Sequence, residues 1–149
     1  MLITKIVEWD MGHRIPNHNS QCRNLHGHRY RMEVAISGEI IETNNDSCTG
    51  MLIDFSDLKT ILETQIVIPC DHAFMMSDSD DIMISFFKEN QTLKHLIVPF
   101  IPTAEEISKW CATKIVKQIK SVYQGRIRLE SVTIWETPTS KACCYAKEI

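Results

Sequence analysis

His26-Gly27-His28 sets two imidazoles two residues apart, and His13 stands upstream at the close of an alternating segment. On a strand, residues i and i+2 project to one face, so His26 and His28 can reach a single ion. Gly27 between them leaves room for close backbone approach. An antiparallel hairpin would bring His13 alongside. Three neutral imidazoles without a fourth protein ligand are the pattern of a catalytic zinc site, which keeps one position for water or substrate. His18 and His95 lack such companions and read as ordinary histidines.

The same stretch is basic. Arg14, Arg23, Arg29 and Arg31 fall within residues 11–32, a window with no Asp or Glu, which suits a polyanion such as a phosphate ester. Cys22 lies four positions before His26 and could be a fourth zinc ligand or a reactive thiol. Basic neighbours and cations favour a thiolate, which can act as base or nucleophile. Asp71 adjoins His72, an acid that can orient or charge the imidazole. Glu136 ends a segment whose inner face carries Val132 and Ile134, so its carboxylate is aimed at the apolar side. A carboxylate so placed needs a partner or a ligand's donors. Cys111, Cys143 and Cys144 read as packing, and no C-x-x-C occurs.

These groups need elements to hold them. Ile3–Trp9 is predicted as a strand, 14–25 as a loop with Pro16, and Tyr30–Ile36 as an amphipathic strand. Met51–Ile53 reads as a short strand or lead-in. A helix is predicted after Asp54, with Phe55, Leu58, Ile61, Leu62 and Ile66 on one stripe. The run Ser77-Asp78-Ser79-Asp80-Asp81 reads as a solvated turn. Thr103 and Glu106 form a capping box for a helix with Ile107, Trp110, Cys111, Ile115, Ile119 and Val122 inward, ended by Gly125. Two strands close the chain. Adjacent hairpins with grouped helices predict an α+β fold.

Composition sets the bounds. The 149 residues carry a net charge of −3, with 44% hydrophobic and 23% charged residues, as in an ordinary single globular domain. A pI near 6.1 argues against a wholesale nucleic-acid binder, and no apolar run is long enough to cross a bilayer. Met1–Asp10 alternates and carries charges, unlike a signal peptide, so the six cysteines are expected to be reduced in the cytoplasm.

The stretches Gly12-His13-Arg14, Cys22–Tyr30, Gly50–Lys59, Asp71-His72, Pro102–Glu105 and Trp135–Thr137, in that order, resemble the 6-pyruvoyl-tetrahydropterin synthase family. The resemblance spans Ile3–Tyr145. The three residues between Cys22 and His26 are similar to the branch that makes 6-carboxytetrahydropterin for queuosine biosynthesis. The pyruvoyl-forming branch typically has a longer gap. The stretch Ser77–Pro102 is longer than the family's pattern, and Asp71-His72 is followed by Ala73-Phe74-Met75-Met76 in place of its usual Leu-Asn pair.

That resemblance implies a tunnelling fold, a four-stranded antiparallel sheet with two helices on one face. Three copies would close into a barrel, and two trimers would stack into a hexamer with sites between subunits. It implies zinc on His13, His26 and His28, and Cys22 as proton-abstracting residue. Asp71 and His72 would be acid/base partners from across an interface; Glu136 would anchor the pterin, with Thr103 and Glu105 nearby. The implied reaction converts 7,8-dihydroneopterin triphosphate to 6-carboxytetrahydropterin, acetaldehyde and triphosphate. Alternatives are triphosphate elimination alone, a Cys-His-Asp hydrolase with Cys22 as nucleophile, and a pterin- or metal-binding module without turnover. The hydrolase would need a preformed oxyanion hole, and no nucleophile elbow is present.

Overall fold

The computed structural model describes residues 1–149. Strand β1 (Leu2–His13) turns its alternate residues Val7, Trp9, Met11 and His13 inward. Strand β2 (His26–Gly38) does the same with Tyr30, Met32, Val34 and Ile36. The two pair antiparallel along their whole length, in a register that sets His13 opposite His26 and Met11 opposite His28. The expected hairpin therefore forms, longer at both ends than the apolar alternation alone marked.

Strand β3 (Ala73–Ser77) lies parallel to β1, and β4 (His95–Val98) lies parallel to β3. Strands β5 (Ile127–Thr137) and β6 (Ser140–Tyr145) pair antiparallel beyond β2. The sheet is thus six-stranded and mixed, in the order β4-β3-β1-β2-β5-β6, and not four-stranded and antiparallel. The additional strands come from 73–98, whose short apolar runs carry no clear period. Parallel pairing between them is supplied by the crossover, which no local pattern shows.

Helix α1 (Phe55–Leu62) starts where Asp54 accepts from the Ser56 amide. It runs through a π-helical turn (Glu63–Val67) into the single turn α2 (Ile68–Cys70), where Pro69 has no N–H to continue the ladder. Leu58, Ile61, Leu62 and Ile66 are buried, while Phe55 lies outside under the Lys5 ammonium. Helix α3 (Asp81–Glu89) was not anticipated. Helix α4 (Ala104–Tyr123) buries Ile107, Cys111, Ile115 and Ile119, and leaves Val122 exposed near its end. Thr103 accepts from the Glu106 amide, but no bond returns from the Glu106 side chain, so the cap is single. Gly125 follows the helix with φ of 91°, as expected of a terminator. Leu52 and Ile53 are buried in a bend and form no strand.

The acidic run also departs from its reading. Ser77 and Asp80 are both 2% exposed, and Asp80 caps α3 by accepting from the Met83 amide. Cys111 and Cys144 pack in the core, whereas Cys143 points outward from β6.

Candidate active site

His13, His26 and His28 continue the buried face of the β1–β2 hairpin to its open end, with ring centroids 4.5, 5.2 and 5.1 Å apart in pairs. Their ligand atoms all lie within 4.8 Å of one another. Gly27 is required between them: a Cβ there would stand 2.9 Å from the Met11 carbonyl oxygen, a backbone atom that cannot swing aside.

Second partners orient two of the rings. His13 Nδ1 lies 2.7 Å from the Pro102 carbonyl and His26 Nδ1 lies 2.8 Å from the Asn24 carbonyl. A carbonyl only accepts, so Nδ1 carries the proton and Nε2 offers its lone pair. His13 Nε2 is buried without a hydrogen-bond partner. Burial, reinforced by the positive potential of His26 and His28 and opposed by the Pro102 carbonyl, lowers the His13 pKa to about 4. Burial lowers that of His28 too, against the pull of Glu136. Three imidazoles facing one another, two with Nδ1 tied to carbonyls, and one orphaned buried nitrogen fit a divalent metal ion.

Glu136 reaches this cluster. Its Oε1 is 3.4 Å from His13 Nε2 and 3.8 Å from His28 Nε2. Two irregularities in β5 aim it there, one opposite Ala35/Ile36 and one between Trp135 and Thr137. Such bulges re-aim side chains. Strand period had predicted the inward direction, but not these partners. Cys22 stands outside the metal-capable cluster, on a 3-10 turn (Gln21–Arg23), half-buried and without a side-chain hydrogen bond.

Asp71 and His72 form a pair with Asp71 Oδ2 2.9 Å from His72 Nδ1. Asp71 also accepts from the Asp10 amide, and these bonds, the amide first, hold its carboxyl below the usual range. His72 sits at φ of 57°, left-handed backbone held by its N–H donating to the Asp10 carbonyl. His72 and His28 line one cavity of about 400 Å³ with Gly12 and Gly27. Thr103, Glu105 and Glu136 line another of about 380 Å³, and a third, about 570 Å³, opens between His28, Arg31, Trp135 and Glu136.

The acid-free window is not acid-free in space. Asp80 takes Arg14, and Glu8 and Asp10 take Arg29 from the neighbouring strand. Arg31 lies over the Trp135 ring. Arg23 is exposed and has no acidic partner.

Tyr30 escaped sequence reasoning. It floors the cluster, 5.9 Å from the His13 ring and 5.7 Å from that of His28, and stacks on Trp9. Burial raises its phenol well above the ordinary value, so it stays neutral. Its place as the next residue on the His26–His28 face was the available signal.

The family model for 6-pyruvoyl tetrahydropterin synthase matches residues 2–147. The chain belongs to that family. A 6-carboxy-5,6,7,8-tetrahydropterin synthase of Haemophilus influenzae is 36% identical over 140 residues, covering 93% of this chain and 94% of its own. One from Synechocystis is 29% identical and covers 99% and 95%. Among solved structures, an uncharacterized protein of Wolinella succinogenes has a TM-score of 0.77 at 22% identity, covering 97% of each chain. The Caenorhabditis elegans 6-pyruvoyl tetrahydropterin synthase has 0.67 at 22%, covering 97% and 94%. As a family member the chain is a pterin synthase with the family's fold, a mixed sheet carrying helices. No helix is long and apolar enough to cross a membrane.

Proposed function

We propose that this chain is a zinc-dependent carbon–carbon lyase that converts 7,8-dihydroneopterin triphosphate and one water to 6-carboxytetrahydropterin, acetaldehyde and triphosphate, in cytoplasmic queuosine biosynthesis. The observation that carries the reading is Glu136 Oε1 standing 3.4 Å from His13 Nε2 in the three-histidine cluster. That contact supports a reading in which Glu136 recognises the pterin beside a Lewis-acid site on the histidines, His28 and Glu136 lining one cavity. The printed names of the relatives from Haemophilus and Synechocystis favour the carboxy-forming product.

In this reading His13, His26 and His28 hold zinc, with the Pro102 and Asn24 carbonyls fixing two tautomers. Zinc, when bound, supplies Lewis-acid polarisation that acidifies protons beside the substrate's hydroxyl oxygens. Cys22 abstracts a proton from the side chain of the pterin, and His72, oriented by Asp71 and contributed from across a subunit interface, moves the second. Glu136 accepts from the pterin ring N–H and exocyclic amine, a two-point match for a carboxylate. Thr103 and Glu105, on the cavity shared with Glu136, lie against the pterin. Arg23 remains for the triphosphate, since Arg14, Arg29 and Arg31 are already paired with carboxylates.

Three copies close into a barrel in this proposal, and two barrels stack into a hexamer. It is supported by β4 and β6, which end the sheet as edge strands and leave backbone groups to be paired. The test is to incubate zinc-loaded protein with 7,8-dihydroneopterin triphosphate and assay acetaldehyde, triphosphate and pterin. All three products are expected. Triphosphate without acetaldehyde would select the pyruvoyl-forming reaction, and no turnover would sink both. Cys22→Ala is expected to abolish turnover with zinc retained near one per subunit; loss of its zinc would make Cys22 a ligand instead.

A further inference from the structure

The segment 77–101 has no part in the reaction as drawn above, yet it sends one buried acid toward the site. The Asp80 side chain is 1% exposed and serves two partners. Its Oδ1 accepts from the Met83 amide at the start of α3. Its two oxygens also accept from Arg14 Nε at 2.6 Å and Nη2 at 2.8 Å. Arg14 follows His13 directly and spends a further donor, Nη1, on the Arg23 carbonyl at 3.3 Å. Beside it, the Ile15 amide donates to the Cys22 carbonyl at 2.8 Å.

These contacts converge on the turn Gln21–Arg23, which carries Cys22 and buries none of its residues. With no core packing, the turn is held against β1 by the bonds from Arg14 and Ile15. A guanidinium engaged by two parallel bonds is fixed in orientation as well as position. A loosely held arginine would leave the turn to drift.

We propose that Asp80 is a positioning residue for Cys22, acting through Arg14 and the Arg23 carbonyl. The segment 77–101 thus braces the site from behind. The proposal rests on Cys22 being the proton-abstracting residue, but its structural half can be read without turnover.

Asp80→Asn is the discriminating variant. Asparagine caps a helix as well as aspartate, so α3 keeps its N-cap while the ion pair is lost. In the zinc-loaded protein, hydrogen exchange at the Ile15 amide is expected to quicken by about ten-fold or more, with the Met83 and Ile84 amides and the zinc content unchanged. In turnover, kcat is expected to fall by about 10–100-fold with KM held within about three-fold, as for a misplaced reacting group. Arg14→Lys, which keeps the charge and loses the fork, is expected to follow the same pattern. Unchanged exchange at Ile15, kcat within two-fold of the parent, or a rise in KM alone would each overturn the proposal. Exchange quickening throughout α3 would reduce Asp80 to a cap. If the parent protein turns over nothing, the lyase reading fails, and the Ile15 exchange still decides whether Asp80 holds the turn.

Discussion

His13 is expected to make the metal-free protein sensitive to mild acid, and the size of the effect follows from its burial. The residue is 1% exposed, and its pKa falls from about 6.5 to about 4 on folding. A lowered pKa means that the folded state binds this proton less readily than the unfolded chain. Its effect on stability is therefore nil above the unfolded value and becomes a penalty as pH falls from 6.5 toward 4. Between pH 7.5 and 5.0, linkage with these values gives a loss of about 2 kcal/mol, and His28, shifted the same way, adds to it. Urea unfolding of the EDTA-treated protein at the two pH values measures the loss. His13→Gln removes the group and is expected to cut the pH dependence by about 2 kcal/mol while leaving the fold intact. An equal loss in parent and variant would refute the argument that the imidazole is buried neutral. Zinc needs the same neutral imidazoles, so added zinc is expected to raise the midpoint more at pH 7.5 than at pH 5.0.

Other outcomes follow from packing. Gly27→Ala sets a Cβ 2.9 Å from the Met11 carbonyl oxygen, so the hairpin end must shift. A cost of about 1–3 kcal/mol and a loss of zinc affinity of at least about ten-fold are expected, read by urea unfolding and competition with a chelator. Normal zinc affinity in that variant would contradict the close approach. Cys70, whose thiol burial pushes up to about 12, and Cys111, pushed well above the ordinary value, are expected to resist iodoacetamide in the native protein. Exposed Cys143 is expected to react within the same period, as peptide mass mapping would show.

Much of the hairpin was legible because its signals are local. Strand period placed His26 and His28 on one face, and the loop before His26 is short enough for His13 to meet them. The caps at Asp54 and Thr103 and the stripe Ile107–Ile119 are equally local, since each depends on residues within a turn or two. The segment 73–98 was not legible. Parallel strands are joined by chain that bears no mark of the pairing, so β3 and β4 did not show, and α3 was missed because its cap Asp80 lies in a polar run.

Charge was read least well. Residues 11–32 contain no acid, but the sheet brings Glu8 and Asp10 across to Arg29, and the fold brings Asp80 to Arg14. Asp80 looked solvated because its sequence neighbours are polar, whereas in the fold it is buried where it caps α3 and receives Arg14.

The sequence by itself determined that His26 and His28 share a face, the family, and the starts of α1 and α4, because short spacings and family motifs persist whatever the rest of the chain does. Only the tertiary structure decided that the sheet has six strands, that Glu136 turns onto the histidines through irregularities in β5, and that Arg14 is held by an acid from a distant segment. Those outcomes depend on long-range pairing and on burial, which alter what a charged side chain can do without changing a residue beside it.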